Sequence, residues 1–194
     1  MDLPGRGDGP RDRMVRSATV LLARDGLRGT GLRDVADHAT APRGSLRHYF
    51  PRGKDQLVDE AMTWMGAVVH EELRDAGPAA LGVLDRFVDL WRGALTASDV
   101  AAGCSIAAVV HDSDDPALLA RAEDVFESWR RPFREALVAD GAAPARADVL
   151  ATTALAALEG AVVLCRARRD LVPLDQTAGV LAELLRPPPG PAAS

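Results

Sequence analysis

The amino-acid sequence predicts an all-α protein of about nine helices. Alanine and leucine, which are strong helix formers, supply much of the apolar content of this 194-residue chain. Aromatic residues make up only 4% of the chain, and the β-branched and aromatic runs that mark strands are scarce. Apolar residues also recur at the three- and four-residue spacing of a single helix face. Together these three observations favour helices over strands along the whole chain.

Three short helices are predicted at the N-terminal end. The first should span about 12–25 and stop at Gly26, because glycine is a common residue just past a helix end. The second should span about 32–39, with Thr30 as an N-cap whose hydroxyl satisfies a free backbone amide. The third should span about 42–49, since proline suits the first turn of a helix.

Six further helices are predicted after residue 53. Proline, glycine, serine and aspartate separate them and mark the turns. Their expected spans are about 54–76, 79–97, 103–112, 116–140, 145–169 and 174–186.

Charge is distributed unevenly along the chain. Residues 1–54 hold eleven basic and six acidic side chains, a net charge of +5. The remaining 140 residues hold 12 basic and 22 acidic side chains, a net charge of −10. A basic head on an acidic body is typical of a protein that contacts phosphate at one end. The alternative is a chance asymmetry among solvated helices.

The second and third helices form a candidate helix-turn-helix, in which the second helix of the pair enters the DNA major groove. Arg43 is the candidate for a base-edge contact, because its forked guanidinium matches O6 and N7 of guanine. Gly44 leaves room for the backbone to approach DNA. The candidate phosphate contacts are Thr30, Ser45, Arg47, His48, Tyr49 and Lys54. Each of them has a structural alternative as a cap, an edge-packing group or a solvated charge.

The segment 30–57 resembles the DNA-binding signature of the TetR family. It has a threonine, a Val-Ala pair, a small-residue turn, Gly-Ser-Leu, an aromatic stretch ending in phenylalanine, and then Lys-Asp-Gln-Leu. The pieces at 41–46 and 50–54 are similar to the LmrA/YxaF-like subgroup in particular, as are 103–107 and 158–161. The resemblance is strong over the first of these segments and weaker beyond it.

The resemblance implies a ligand-responsive DNA-binding regulator. It implies a helix-turn-helix domain at 1–54, with a basic disordered arm at 1–10, and a ligand-binding and dimerisation domain at 55–186, followed by a disordered tail at 187–194. The expected function is repression at a palindromic operator in double-stranded DNA, released by a small lipophilic effector. No cofactor, metal or catalytic group is expected.

Two residues depart from the family signature. Thr40 stands where the family usually has a turn glycine, and a β-branched residue disfavours positive φ, so the turn is expected to be shifted or strained. Arg47 stands where the family usually has tyrosine. Its charge can keep a phosphate contact, although a changed operator or altered affinity is an open alternative.

The later helices supply candidates for effector binding. Large side chains recur on single helix faces, which indicates either core packing or an apolar pocket. The candidate lining residues are Trp64, Trp91, Cys104, Phe126, Trp129 and Glu159. A buried carboxylate at Glu159 needs a partner, either Arg166 or a polar group of the ligand.

The helix at 145–169 is apolar on more than one side, which favours one face inward and one against a partner. With the helix at 174–186, the resemblance implies a four-helix homodimer interface across a two-fold axis. The alternative is a monomer that buries both faces.

Two rival functions stay open at this point: a helical interaction module without specific DNA binding, and a helical enzyme. Neither a nucleophile triad, nor a phosphate-binding glycine loop, nor metal-ligand spacing is visible in the sequence. The two cysteines are expected to be small buried side chains. A membrane span needs roughly 18–20 apolar residues, and we do not expect any stretch of this sequence to serve as one. We therefore expect no membrane association and a cytoplasmic location.

Overall fold

A computed structural model describes residues 9–186 of the chain. Within this range the protein forms nine α-helices and one 3₁₀ turn, and it has no strand, so the predicted all-α fold is confirmed. The elements are α1 (Pro10–Gly29), α2 (Leu32–His38), the 3₁₀ turn (Arg43–Ser45), α3 (Leu46–Tyr49), α4 (Lys54–Arg74), α5 (Ala80–Ala97), α6 (Ser105–Asp112), α7 (Pro116–Ala139), α8 (Pro144–Arg168) and α9 (Val172–Leu184).

Helix boundaries follow the turn residues closely from α4 onward. The third predicted helix is different: it starts as the 3₁₀ turn, because Pro42 is extended, with ψ 124°, and lies outside the helix. Pro10, which was assigned to the N-terminal arm, begins α1 instead. The rest of the predicted arm, 1–8, and the predicted tail, 187–194, lie outside the described residues.

The chain divides into two compact units. Unit 1 comprises Met1–Val69 and Ala101–Glu127, and unit 2 comprises His70–Val100 and Ser128–Ser194. The first part of α4 therefore belongs to unit 1 and its last five residues to unit 2. This division groups α6 with the N-terminal helices, whereas the domain boundary after residue 54 stays a prediction.

In unit 1, α6 packs on α1 where α1 is interrupted. Gly26 has φ 75° and ψ 176°, a conformation that only glycine adopts without strain, and it breaks the helix at the position predicted as its stop. The amide of Arg28 follows this break and donates to Oδ2 of Asp112, the last residue of α6, at 3.1 Å. At the other end of α6, the amide of Gly103 donates to the carbonyl of Ala23 at 2.7 Å. Two hydrogen bonds therefore tie the α6 segment to α1.

The core of unit 2 is built around aromatic side chains of α5 and α7. The ring centroid of Phe87 lies 5.9 Å from that of Trp129, 6.0 Å from that of Phe133 and 6.4 Å from that of Trp91. All four side chains are buried. The spacing predicted from the sequence, with residues three and four apart on one face, thus corresponds to an actual aromatic cluster.

A hydrogen bond attaches the end of α4 to α7 within unit 2, at a carbonyl that a proline of α7 leaves without its helical partner. Pro132 lies inside α7 and has no N–H, so it cannot bond the carbonyl of Ser128 four residues earlier. Nδ1 of His70, on the last turns of α4, lies 2.9 Å from that carbonyl. Because a carbonyl oxygen only accepts, Nδ1 carries the hydrogen and donates it.

The helix α8 requires a correction to the sequence analysis. By length and composition it could cross a membrane, with a mean hydropathy of 1.7 over its most apolar 18 residues, although 44% of that window is buried within the protein. Its buried face packs with α9 in unit 2. A core helix of this kind meets the same criterion, so the finding does not by itself indicate a membrane span.

Candidate functional site

The helix-turn-helix is held together by a few buried side chains of unit 1. Val35 and Ala36 of α2 are fully buried, and Phe50, directly after α3, is 2% exposed. The guanidinium of Arg11 on α1 lies over the ring of Phe50, with its Cζ 5.7 Å from the centroid. A second α1 side chain, Arg13, donates from Nε to the carbonyl of the α2 C-cap residue at 3.2 Å. These contacts fix the positions of α2 and α3 against α1.

The turn between α2 and the 3₁₀ turn contains a strained residue. Thr40 has φ 49°, in the left-handed region that disfavours β-branched side chains. Its amide donates to the carbonyl of Asp37 at 3.1 Å, and the amide of Ala41 donates to that of Ala36 at 2.9 Å. The turn therefore has the geometry that glycine would adopt more easily, and the expected strain at Thr40 is present.

Arg43 forms an ion pair across this turn. Its Nε donates to Oδ1 of Asp37 at 2.8 Å, and its second terminal nitrogen donates to Oδ2 of the same carboxylate. The hydrogen bond from Arg43 lowers the pKa of Asp37 below its ordinary value. Any stability gained from the pair is therefore present above the ordinary aspartate pKa and is lost as pH falls through the lowered value. Both side chains are largely exposed, which keeps that contribution small.

Four residues form an exposed basic surface on and next to α3, which we call the recognition surface: Arg43, Gly44, Arg47 and His48. A Cβ added at Gly44 would meet no atom within 4 Å, so space is open outside this backbone. The ring of His48 contacts that of Tyr49 edge-on, with centroids 5.0 Å apart. The surface therefore combines the guanidinium groups of two arginines and the ring of His48 with backbone at Gly44 that no side chain covers.

Two other predicted contacts have hydrogen-bond partners within the protein, and a third is half-buried. Ser45 Oγ donates to the carbonyl of Pro42 at 2.6 Å, which closes the 3₁₀ turn. Lys54 Nζ donates to the carbonyl of Leu27, near the end of α1, where a cation is favoured by the helix dipole. Tyr49 is half-buried. Each of these side chains stays partly accessible, so the predicted phosphate contacts remain predictions.

The assignment of Thr30 was wrong in its structural part. The N-cap of α2 is Gly31, whose own amide donates to Oδ2 of Asp34 at 3.2 Å. Thr30 instead donates from Oγ1 to the carbonyl of Gly26 at 2.7 Å, and it is 3% exposed. A buried hydroxyl with this partner does not lie on the surface that DNA would contact, so we omit Thr30 from the proposed interface.

The sequence analysis did not assign three residues of the helix-turn-helix segment to the site. Arg33 and Arg52 are exposed basic side chains of unit 1, and Asp37 is the partner of Arg43. The first two could have been found from the charge pattern alone. The ion pair could not, because a six-residue separation places two side chains together only if the intervening turn is known.

The six candidate lining residues do not fall in one unit. Trp64, Cys104 and Phe126 belong to unit 1 and the other three to unit 2. Cys104 acts as the N-cap of α6, since its Sγ accepts from the amide of Ala107 at 3.4 Å. The role of all six in ligand binding stays a prediction.

Trp91, a candidate in unit 2, has an unsatisfied polar atom. Its side chain is 8% exposed, and its indole Nε1 is buried without an acceptor among the described residues. A buried N–H without a partner is unfavourable, which makes this nitrogen a candidate donor to a ligand.

Unit 2 also contains a groove of about 620 Å³ that the sequence analysis did not anticipate. Its apolar wall includes Leu73, Val83 and Ala136, which are buried, while Arg74 and Arg131 are exposed at its edge. The volume lies within the range of small-molecule sites. Glu135 also lines the groove, and Arg74 pairs with Asp75, so Arg131 is the guanidinium that could hold the charge of an amphipathic anion beside the apolar wall.

An apolar stripe on α8 faces away from the core of unit 2. It consists of exposed residues at alternating spacings of four and three: Val149, Thr153, Ala156, Gly160, Val163 and Ala167. On α9, Val180 is 66% exposed and Leu184 is 40% exposed. Heptad-like spacing of small and apolar side chains is typical of a helix that packs against another helix.

Comparisons with known proteins agree with this architecture. Residues 15–61 match the family model described as bacterial regulatory proteins, tetR family, and residues 80–180 match the model described as transcriptional regulator LmrA/YxaF-like, C-terminal domain. The chain is 42% identical to the HTH-type transcriptional regulator Rv0196 of Mycobacterium tuberculosis, covering 91% of this chain and 94% of the relative. It is 27% identical to YxaF of Bacillus subtilis, covering 95% and 98%. A TetR transcriptional regulator from Legionella pneumophila superposes with a TM-score of 0.81 at 19% identity, covering 95% and 99%.

Two backbone substitutions should change stability in opposite directions. Replacing Gly26 with alanine should lower the free energy of unfolding by roughly 1–3 kcal/mol, because the site requires a conformation that only glycine adopts freely. Replacing Thr40 with glycine should raise it by up to about 1 kcal/mol, since relief of the left-handed strain exceeds the added chain entropy.

Urea unfolding followed by circular dichroism measures both effects. Thr63→Gly, at an exposed position inside α4, is the matched control and should lower stability. A Thr40→Gly protein as unstable as this control would contradict the interpretation of the turn.

Proposed function

The chain belongs to the TetR family of bacterial transcriptional regulators, and from this we propose that it represses transcription as a homodimer on a palindromic operator. The family is one of DNA-binding regulators rather than enzymes, which removes the enzymatic alternative. Because such a protein acts on chromosomal DNA, we place it in the cytoplasm. The proposals that follow assign the DNA contacts, the dimer interface and the effector site.

The observation that carries the DNA-binding proposal is the exposed recognition surface on a firmly anchored α3. Burial of Phe50 fixes the short helix, and the basic groups point to solvent. Arg43 would read a guanine through its fork, and Gly44 would let the backbone approach the DNA. Arg47, His48, Ser45, Tyr49 and Lys54 would contact phosphates, which fix position without reading sequence.

The dimer proposal rests on the exposed apolar faces of α8 and α9, at about 145–169 and 174–186. Contiguous exposed apolar surface on a protein of this size is typical of an interaction site. A two-fold pairing through these helices would cover Val163 and Val180, the two most exposed of the large apolar side chains. It would also supply two recognition surfaces, one for each half-site of a palindrome.

The effector proposal combines the groove of unit 2 with the aromatic cluster. Val83 of the groove and Phe87 and Trp91 of the cluster follow one another at four-residue spacing on α5. An apolar compound with an acidic group could place its charge near Arg131 and its body toward the cluster, where Trp91 Nε1 offers a hydrogen bond. The last turn of α4 lines the groove, so binding there would favour one position of α4.

Regulation would then be a shift between two states. The helix α4 runs without interruption from Lys54, which is bonded to α1, to Arg74, which lines the groove. An effector that prefers one α4 position weakens DNA binding only by the free energy of that preference. No chemical step is required.

Two arginine substitutions should separate base reading from phosphate binding. For a duplex enriched by the wild-type protein from a random pool, Arg43→Ala should cost about 1–3 kcal/mol of binding free energy and relax the preference at one base pair per half-site. Arg47→Ala should weaken binding to all sequences alike and lower the salt-dependence slope by about 1. Fluorescence anisotropy at several salt concentrations measures both.

Arg86→Ala, at an exposed arginine of α5 in unit 2, is the control and should leave operator affinity unchanged. The interaction-module alternative would be supported instead if the anisotropy of the duplex did not change on addition of the wild-type protein. Equal binding by all three variants would support it too.

A charge placed in the α8 stripe should prevent dimerisation. Val163→Asp should shift the sedimenting species toward the 20.5 kDa of one chain, because an unpaired carboxylate would be buried in the interface. Val138→Asp, on an exposed site of α7, is the matched control and should sediment like the wild-type protein. Equal behaviour of the two variants would argue for a different interface.

Anilinonaphthalene sulfonate, a fluorescent amphipathic anion, tests the groove directly. It should bind the native protein, and Arg131→Ala should weaken that binding several-fold because the sulfonate loses a guanidinium partner. Arg92→Ala, at a partly exposed site of α5 outside the groove, should bind the probe like the wild-type protein. Unchanged binding by Arg131→Ala would show that the probe occupies another place.

A further inference from the structure

One side of the Arg43 guanidinium is occupied by a carboxylate in the free protein. Nε and one terminal nitrogen of Arg43 bond the two oxygens of Asp37 in a parallel, bidentate arrangement. Guanine presents two acceptors, O6 and N7, to an arginine fork in the same way. Because the guanidinium has five N–H donors, the Asp37 carboxylate holds one side of it and leaves the outer fork, formed by the two terminal nitrogens, open to a guanine edge.

This carboxylate has different consequences for the two kinds of DNA acceptor. A guanine edge is neutral, so it can bind the outer fork of Arg43 without placing a second negative charge beside Asp37. A phosphate is anionic and would share the single guanidinium with Asp37. Repulsion between the phosphate and the Asp37 carboxylate disfavours a phosphate contact by Arg43. Like-charge repulsion against an unwanted partner is a common source of binding specificity.

Other charges near Arg43 do not change this comparison. Asp34 on α2 also acts on Arg43 through its charge, but its Oδ2 accepts from the amide of Gly31 and it does not occupy the fork. Among the described residues, Asp37 is the carboxylate that bonds the Arg43 guanidinium.

We propose that Asp37 is a positioning residue for specificity: it holds the Arg43 fork for a guanine edge and keeps it from the phosphate backbone. This inference rests on the proposed function, because it assumes that Arg43 faces operator DNA. The alternative role for Asp37 is that of a staple, a purely structural link across the strained turn at Thr40. The two roles differ in what a substitution changes, since a staple affects folding stability and a specificity residue affects the choice of DNA.

The test uses Asp37→Asn in the full chain and two duplexes of equal length and composition. One is a duplex enriched by the wild-type protein from a random pool, and the other is its shuffled sequence. Asp37→Asn should bind the shuffled duplex more tightly, so the ratio of the two dissociation constants should fall by about three- to tenfold, or about 0.65–1.4 kcal/mol. Its urea unfolding midpoint should stay close to that of the wild-type protein.

Two controls isolate the effect. Asp55→Asn removes the same charge from an exposed site in the first turn of α4, and it should tighten binding to both duplexes by one factor and leave the ratio unchanged. In an Arg43→Ala background, Asp37→Asn should no longer change the ratio, because the residue acts through Arg43.

Each outcome decides the proposal. An unchanged ratio, an equal change in Asp55→Asn, or a change that persists without Arg43 would overturn it, and a lowered unfolding midpoint with an unchanged ratio would assign Asp37 the staple role. If the wild-type protein enriches no duplex, the proposed function itself fails and this inference falls with it. Enrichment with an unchanged ratio refutes the inference alone.

Discussion

The burial of Phe50 is the constraint on which the candidate DNA interface depends. A helix as short as Leu46–Tyr49 is not stable by itself, because helix nucleation costs more than a few hydrogen bonds return. Its position is instead fixed by the phenylalanine that follows it, which is 2% exposed and lies under Arg11 of α1. The exposed side of α3 is then free to carry basic groups that contribute nothing to the core.

Two turns, at Gly26 and at Thr40, require a residue with positive φ, and they use different residue types for it. Gly26 interrupts α1 at no steric cost, and Asp112 of α6 satisfies the amide of Arg28 beyond the break. At the other turn a threonine takes the left-handed conformation, and the Asp37–Arg43 ion pair bridges it. The strained residue Thr40 therefore lies in the turn that the ion pair of Arg43, the residue proposed to read DNA, spans.

The sequence could predict most of the fold because the signals are local. Apolar spacing and turn residues located every helix from α4 to α9 to within about two residues, and the family resemblance located the helix-turn-helix. What it could not predict depends on three-dimensional placement. Thr30 was taken for the N-cap of α2, whereas its hydroxyl bonds the carbonyl of Gly26. The Asp37–Arg43 pair depends on the path of the turn between the two residues. The groove beside Arg131 is formed by helices that are distant in sequence. The sequence predicted one inward and one outward apolar face on α8, but the residues that lie on each face followed only from the packing with α9.

Hydroxyl-radical footprinting on an enriched duplex tests the central claim most directly. A pair of recognition surfaces related by a two-fold axis should protect two patches on one face of the DNA, centred a whole number of helical turns apart, each turn being about 10–10.5 base pairs. Simultaneous replacement of Arg43 and Arg47 by alanine should remove both patches together. A single unpaired patch, or protection that survives that replacement, would show that α3 is not the element that reads DNA.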